Sequence, residues 1–127
     1  MNVLFIAAHP DDIEIGAGGT VAKFVKEGHK ITFLILTNRE ASGTSQIRRE
    51  ESLKSAKILG VSDVRFGNFK DSDKDVRHDR KTITIIEKVI NEINPNQIYT
   101  TTLRDGHQDH KNTALATLAA GRNSPSI

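Results

Sequence analysis

The sequence predicts an α/β protein in which a parallel β-sheet carries helices on both faces. Two observations predict it. Short runs rich in Val, Ile, Leu and Phe recur along the 127 residues, as strands buried on both sides require. Between them lie longer stretches whose apolar residues repeat at the helical period of 3.6. Strand alternating with helix implies βαβ units, and hence parallel pairing under right-handed crossovers.

The elements follow in order. Asn2–Ala8 is a buried strand by its continuous Val, Leu, Phe and Ile content. Val21–Lys26 is the body of a first helix, stopped by Gly28. Lys30–Thr37 is a second buried strand. Ser45 is suited to N-cap a helix over Gln46–Leu59, with Ile47, Leu53, Ala56 and Leu59 near one face and Gly60 ending it. Asp63–Phe66 is a short third strand. Lys81–Ile93 is helical, with Ile83, Ile86, Val89, Ile90 and Ile93 on one stripe, and Asn94-Pro95 closes it. Gln97–Thr102 is a fourth strand and Lys111–Ala120 a fourth helix. The result is a single three-layer α/β/α domain over residues 1–127, Rossmann-like, and incomplete at its C-terminal side. The chain stops at Ser124-Pro125-Ser126-Ile127, where another strand is expected to begin, so the fourth strand is expected to present an uncovered edge.

Composition narrows the function. A hydrophobic fraction of 36% and a charged fraction of 27% are those of a soluble globular protein. The longest apolar runs, Val3–Ala8 and Ile31–Leu36, are strand-sized and far too short to span a membrane. Met1-Asn2 leads straight into a strand without a basic leader region, which predicts a cytoplasmic protein. The formal charge of +2 and an aromatic content of 5% give neither a basic face nor a stacking platform for nucleic acid. With no cysteine, any metal must be held by imidazole and carboxylate.

Ligands of an open parallel sheet sit beyond the carboxyl ends of its strands. Two such ends lead into unusual loops here. The first is His9-Pro10-Asp11-Asp12-Ile13-Glu14, after the first strand, and the second is His107-Gln108-Asp109-His110, after the fourth. Each alone has an ordinary explanation. Pro-Asp-Asp before a helix is normal turn and cap chemistry, and His-x-Asp-His suits a solvated loop. Parallel topology brings the two together, and a purely structural loop has no reason to hold His and Asp at both converging ends. The combination fits a catalytic zinc, which takes three nitrogen or oxygen ligands and keeps one position for water. A carboxylate beside it can accept and return the proton. Gly16-Ala17-Gly18-Gly19 lacks the spacing of a dinucleotide loop and is expected to serve close helix packing. No serine elbow and no cysteine nucleophile is present. His29 is expected at the surface and His78 in a charged loop. Glu14 suits either the first turn of a helix or a ligand contact.

Together, the two motifs resemble those of the PIG-L/LmbE-like family of zinc-dependent N-acetylglucosaminide deacetylases. Ile47-Arg48-Arg49-Glu50-Glu51 and Leu59-Gly60-Val61 are similar to that family's Arg-x-x-Glu helix and its exit. The resemblance implies His9, Asp12 and His110 as ligands of one Zn2+ ion, which another divalent metal could replace. It implies Asp11 as general base, His107 as the group that stabilises the oxyanion or acts as an acid, and Asp109 as the residue that orients His107. Arg48 and Asp71 match sugar-hydroxyl contacts. The implied partner is a small N-acetylated amino sugar. A reading of another class stays open beside it: a non-catalytic metal- or ligand-binding module that self-associates through its exposed sheet edge.

Overall fold

The computed structural model describes residues 1–37, 45–67, 76–104, 106–124 and 127, except the side chains of Ser45 and Arg48. Among the described residues eight elements alternate: β1 (Asn2–Ala7), α1 (Asp12–Lys26), β2 (Lys30–Ile35), α2 (Ser45–Leu59), β3 (Asp63–Phe66), α3 (Arg80–Ile93), β4 (Gln97–Tyr99) and α4 (Gln108–Ala120). The strands form one sheet in the order β3-β2-β1-β4, parallel at every pairing. The order reverses between β1 and β4, which makes the crevice beyond their carboxyl ends the expected ligand position.

Alternate strand residues feed two separate cores. Leu4, Ile6, Leu34 and Ile98 pack with Ile86 and Val89 of α3 and with Ala116 and Ala120 of α4. Val3, Phe5, Ile31 and Phe33 pack with Ile13 and Val21 of α1 and with Ala56 of α2. Helices therefore cover both faces, two on each, as the continuous apolar strands require. No described helix is long and apolar enough to cross a membrane.

Several details depart from the sequence expectation. The stretch Val21–Lys26 is only the second half of α1, which starts at Asp12. Gly16, Gly18 and Gly19 lie inside that helix, and a Cβ added to any of them would meet nothing within 4 Å among the described residues. Close packing is therefore not why they are glycine. Gly19→Ala should consequently raise stability by about 0.5–1 kcal/mol, because alanine loses less backbone freedom on folding. A higher urea midpoint at unchanged slope is the sign to look for.

On α2 the inward stripe is Ser52, Ala56 and Leu59. Ile47 and Leu53, expected on that face, are 56% and 45% exposed. Residues 52, 56 and 59 follow the four-and-three spacing of one helical face, and 47 and 53 fall off it. β4 is shorter than expected. Its pairing with β1 ends at Phe5↔Tyr99, and the Thr100 hydroxyl then donates to the Ile6 carbonyl at 3.3 Å.

α3 has a well-formed start. The Asp79 carboxylate accepts from the Thr82 amide at 3.0 Å, and this bond holds its carboxyl below the usual carboxylate range. Asp79→Ala should cost about 1 kcal/mol at neutral pH. A depressed native pKa stabilises the fold above the unfolded value and loses that contribution as pH falls through the native one. The difference between wild type and variant should accordingly shrink in denaturation curves taken near pH 3.

Candidate metal and active site

β1 delivers the chain to Ala8 and His9, both buried. Asp11 then takes a left-handed conformation, with φ of 74°, at the N-cap of α1. A non-glycine residue rarely adopts this conformation, and Asp and Asn tolerate it best. Its side chain makes no cap hydrogen bond. Instead Asp12 turns back, and its Oδ2 accepts from the His9 amide at 3.0 Å. The ordinary cap explanation of Pro-Asp-Asp thus does not account for Asp11.

The second loop closes from β4. His107 caps α4, its Nδ1 accepting from the Asp109 amide at 3.1 Å. α4 begins at Gln108, three residues before the expected start, so Asp109 and His110 lie in its first turn. The Thr101 hydroxyl donates to the His110 carbonyl at 2.6 Å, which ties that turn to the chain leaving β4.

Three imidazoles converge at the switch point. The rings of His107 and His110 stack at 4.7 Å, and that of His9 lies 5.4 Å from the first and 5.7 Å from the second. One donor atom each from His9, Asp12 and His110 lie within 4.8 Å of one another, and the same holds for His9, His107 and Asp109. Distance separates the two sets. Ligand bonds of about 2.0–2.1 Å in a tetrahedron put neighbouring donors about 3.3 Å apart. Asp12 Oδ2 is 3.2 Å from His110 Nε2 and 3.7 Å from His9 Nδ1, on either side of that value. His9 Nε2 and Asp109 Oδ2 are 2.7 Å apart, a direct hydrogen bond with no space for an ion between the two atoms. The first set therefore fits a tetrahedral cation.

Asp109 is buried at 6% exposure. Besides His9, its carboxylate accepts from the Val76 amide at 3.2 Å. Asn112, one turn along α4, donates to the Val76 carbonyl at 3.0 Å. Glu14 sits in the first turn of α1 near Asp11 and Ser55, with Oε2 buried and without a hydrogen-bond partner among the described residues. Burial, reinforced by the neighbouring Asp11 charge, pushes its carboxyl upward. Asp71 and the Arg48 side chain lie outside the described residues. His29 bonds the N-terminal amine at 3.0 Å, at the opposite ends of the strands, and His78 is exposed ahead of α3. Sequence reasoning missed Val76 and Asn112. Nothing marks an apolar residue whose amide binds a carboxylate, and the three-residue spacing of Asp109 and Asn112 became a helical spacing only once α4 was seen to begin at Gln108.

Fold and site together define a doubly wound α/β protein with a histidine–carboxylate centre of metal-ligating geometry at its switch point. The chain belongs to the PIG-L family, since the family model described as GlcNAc-PI de-N-acetylase matches residues 4–121. It is similar to the uncharacterized deacetylase YaiS of Escherichia coli K12, with 35% identity over 99% of this chain and 71% of that protein. The crystal structure of N,N'-diacetylchitobiose deacetylase from Pyrococcus horikoshii superposes with a TM-score of 0.82 at 26% identity, covering 95% of this chain and 49% of that one. The hydratase GalB from Pseudomonas putida, with 23% identity and a TM-score of 0.80 over 94% of this chain and 55% of that one, shares the fold. The chain thus spans between about half and 71% of these proteins.

Proposed function

We propose that this chain binds one zinc ion through His9, Asp12 and His110 and carries the catalytic centre of an amide hydrolase. The reaction would remove the N-acetyl group of an N-acetylglucosamine-containing small molecule, giving acetate and a free amine. One observation carries this reading: Asp11 holds a left-handed conformation at a helix cap without capping it, directly beside a set of donors spaced for a tetrahedral ion. Strain of this kind is kept where function uses it. A binding module needs the ligands but has no need of the additional carboxylate. The deacetylase names of the relatives support the same reaction class, whereas the shared fold of a hydratase shows that the fold alone does not select it.

When bound, zinc would act as a Lewis acid on water and on the amide carbonyl. Asp11 then takes the proton from the attacking water and passes it to the leaving nitrogen. His107 is exposed, with its ring beside those of His9 and His110, and would donate to the oxygen of the tetrahedral intermediate. Arg48 and Asp71 would bind sugar hydroxyls. A His–His–carboxylate set also accepts iron, so the native ion is a separate measurement.

Calorimetric titration of zinc into metal-stripped protein, paired with acetate release from N-acetylglucosamine glycosides, tests the proposal. One ion per chain together with acetate release supports it. Absence of zinc binding by folded protein overturns it. Zinc binding without acetate release favours the second reading, a metal-binding module that associates through its sheet edge. That reading rests on β4, which pairs only with β1 among the described residues. Beside it Tyr99, Leu103, Leu118 and Ile127 are 37–44% exposed.

A further inference from the structure

We infer that Asp109 is a positioning residue for the metal ligand His9, selecting which imidazole nitrogen faces the ion. This rests on the proposed metal site and assigns Asp109 a different task from orienting His107. Its backbone amide donates to His107 Nδ1 at 3.1 Å, while a carboxylate oxygen lies within 4.8 Å of a His107 ring nitrogen. The hydrogen bonds of the carboxylate go to His9 and Val76. Oδ2 lies 2.7 Å from His9 Nε2, and Oδ1 accepts from the Val76 amide at 3.2 Å.

A carboxylate only accepts hydrogen bonds, so the hydrogen of His9 is placed on Nε2 and the lone pair on Nδ1. Nδ1 is the atom on the Asp12 side, 3.7 Å from Asp12 Oδ2, within the donor set that fits a tetrahedral ion. Both partners are buried, His9 at 3% and Asp109 at 6% exposure, so water does not compete for the bond. The anchor is itself anchored. Asp109 and Asn112 grip the amide and carbonyl of Val76 from one face of α4, and the Thr113 hydroxyl donates to the Asp109 carbonyl at 2.7 Å. A histidine ligand backed by a carboxylate on its far nitrogen is the arrangement that fixes ring orientation and raises ligand basicity at metal centres.

The test uses the whole chain and zinc itself. Asp109→Asn should weaken zinc binding by roughly 10–100-fold, read by calorimetry, with secondary structure retained. In metal-free protein, imidazole 15N shifts should place the His9 hydrogen on Nε2 in wild type and show mixed tautomers in the variant. Asn112→Ala is the control, since it removes the bond to the Val76 carbonyl without touching His9 and should leave zinc affinity unchanged. If Asn112→Ala weakens zinc as much as Asp109→Asn does, Asp109 serves only to brace the loop and the inference falls. It also falls if Asp109→Asn keeps both zinc affinity and the His9 tautomer while the 15N pattern of His107 changes. Were the wild type to bind two ions and Asp109→Asn to lose only the weaker, Asp109 would be a ligand and the positioning role would be wrong. Failure of the wild type to bind zinc at all, with the His9 tautomer as expected, would instead overturn the metal-site proposal and with it any role of Asp109 toward an ion.

Discussion

Asp11→Asn is expected to leave zinc affinity unchanged and to lower acetate release by about two to four orders of magnitude, the usual contribution of a general base. The structure makes asparagine the right replacement. Asp11 has φ of 74°, which Asn adopts as readily as Asp, whereas alanine there would add backbone strain of about 1–2 kcal/mol. A loss of rate in Asp11→Ala could thus come from a displaced loop, and the same loss in Asp11→Asn could not. Because the side chain of Asp11 caps nothing, the asparagine variant should also melt at nearly the wild-type temperature. An unchanged rate in Asp11→Asn, measured under conditions where the wild type turns over, would falsify the assignment of Asp11 as the base.

Removal of Asp12 should act on the ion instead. Its Oδ2 is the point where the set closes, 3.2 Å from His110 Nε2 and 3.7 Å from His9 Nδ1. Asp12→Ala takes away the one anionic ligand and should weaken zinc by more than the roughly 100-fold upper range seen when only an outer hydrogen-bond partner is removed. The His9 amide would lose its acceptor as well, at a cost of about 1 kcal/mol in the metal-free protein. Calorimetry on Asp11→Asn and Asp12→Ala side by side separates the two carboxylates. Neighbours in sequence, they should divide into one that binds and one that moves protons. Equal loss of zinc in both variants would mean that the pair acts as one ligand unit.

The fold was legible where hydrophobic period decides it. All four strands and four helices fall where apolar runs alternate with helical stripes, and the side of the sheet on which His9 and His107 meet follows from parallel connection alone. Legibility failed where another force set the outcome. The start of α1 was hidden because three glycines argue against a helix on propensity, yet the helix is held by Ile13 and Val21 packing on β1 and β2. The inner face of α2 was misread because Ser52 is buried while Ile47 and Leu53 are not, and a sequence scan ranks residues by polarity. Within the site, the residue types and the two loops were readable, but the partners were not. The bond from Asp109 to His9 spans 100 positions, and the amide of Val76 has no side-chain signature at all.

That long span has a further consequence, for the order in which the molecule is made. β4 pairs with its neighbour through Gln97, Ile98 and Tyr99, it is synthesised after the other three described strands, and the second half of the site hangs from it. An ion joining His9 and Asp12 to His110 would close a loop running from the end of β1 to the first turn of α4. Closing a loop that long removes much of the disorder available to the unfolded state, as a covalent crosslink does. Chelation would therefore act as a clasp fastened at the end of folding. Contacts made after the transition state mainly slow escape from the native state, so a clasp of that kind should make zinc lengthen the lifetime of the β1–β4 pairing far more than it speeds its formation.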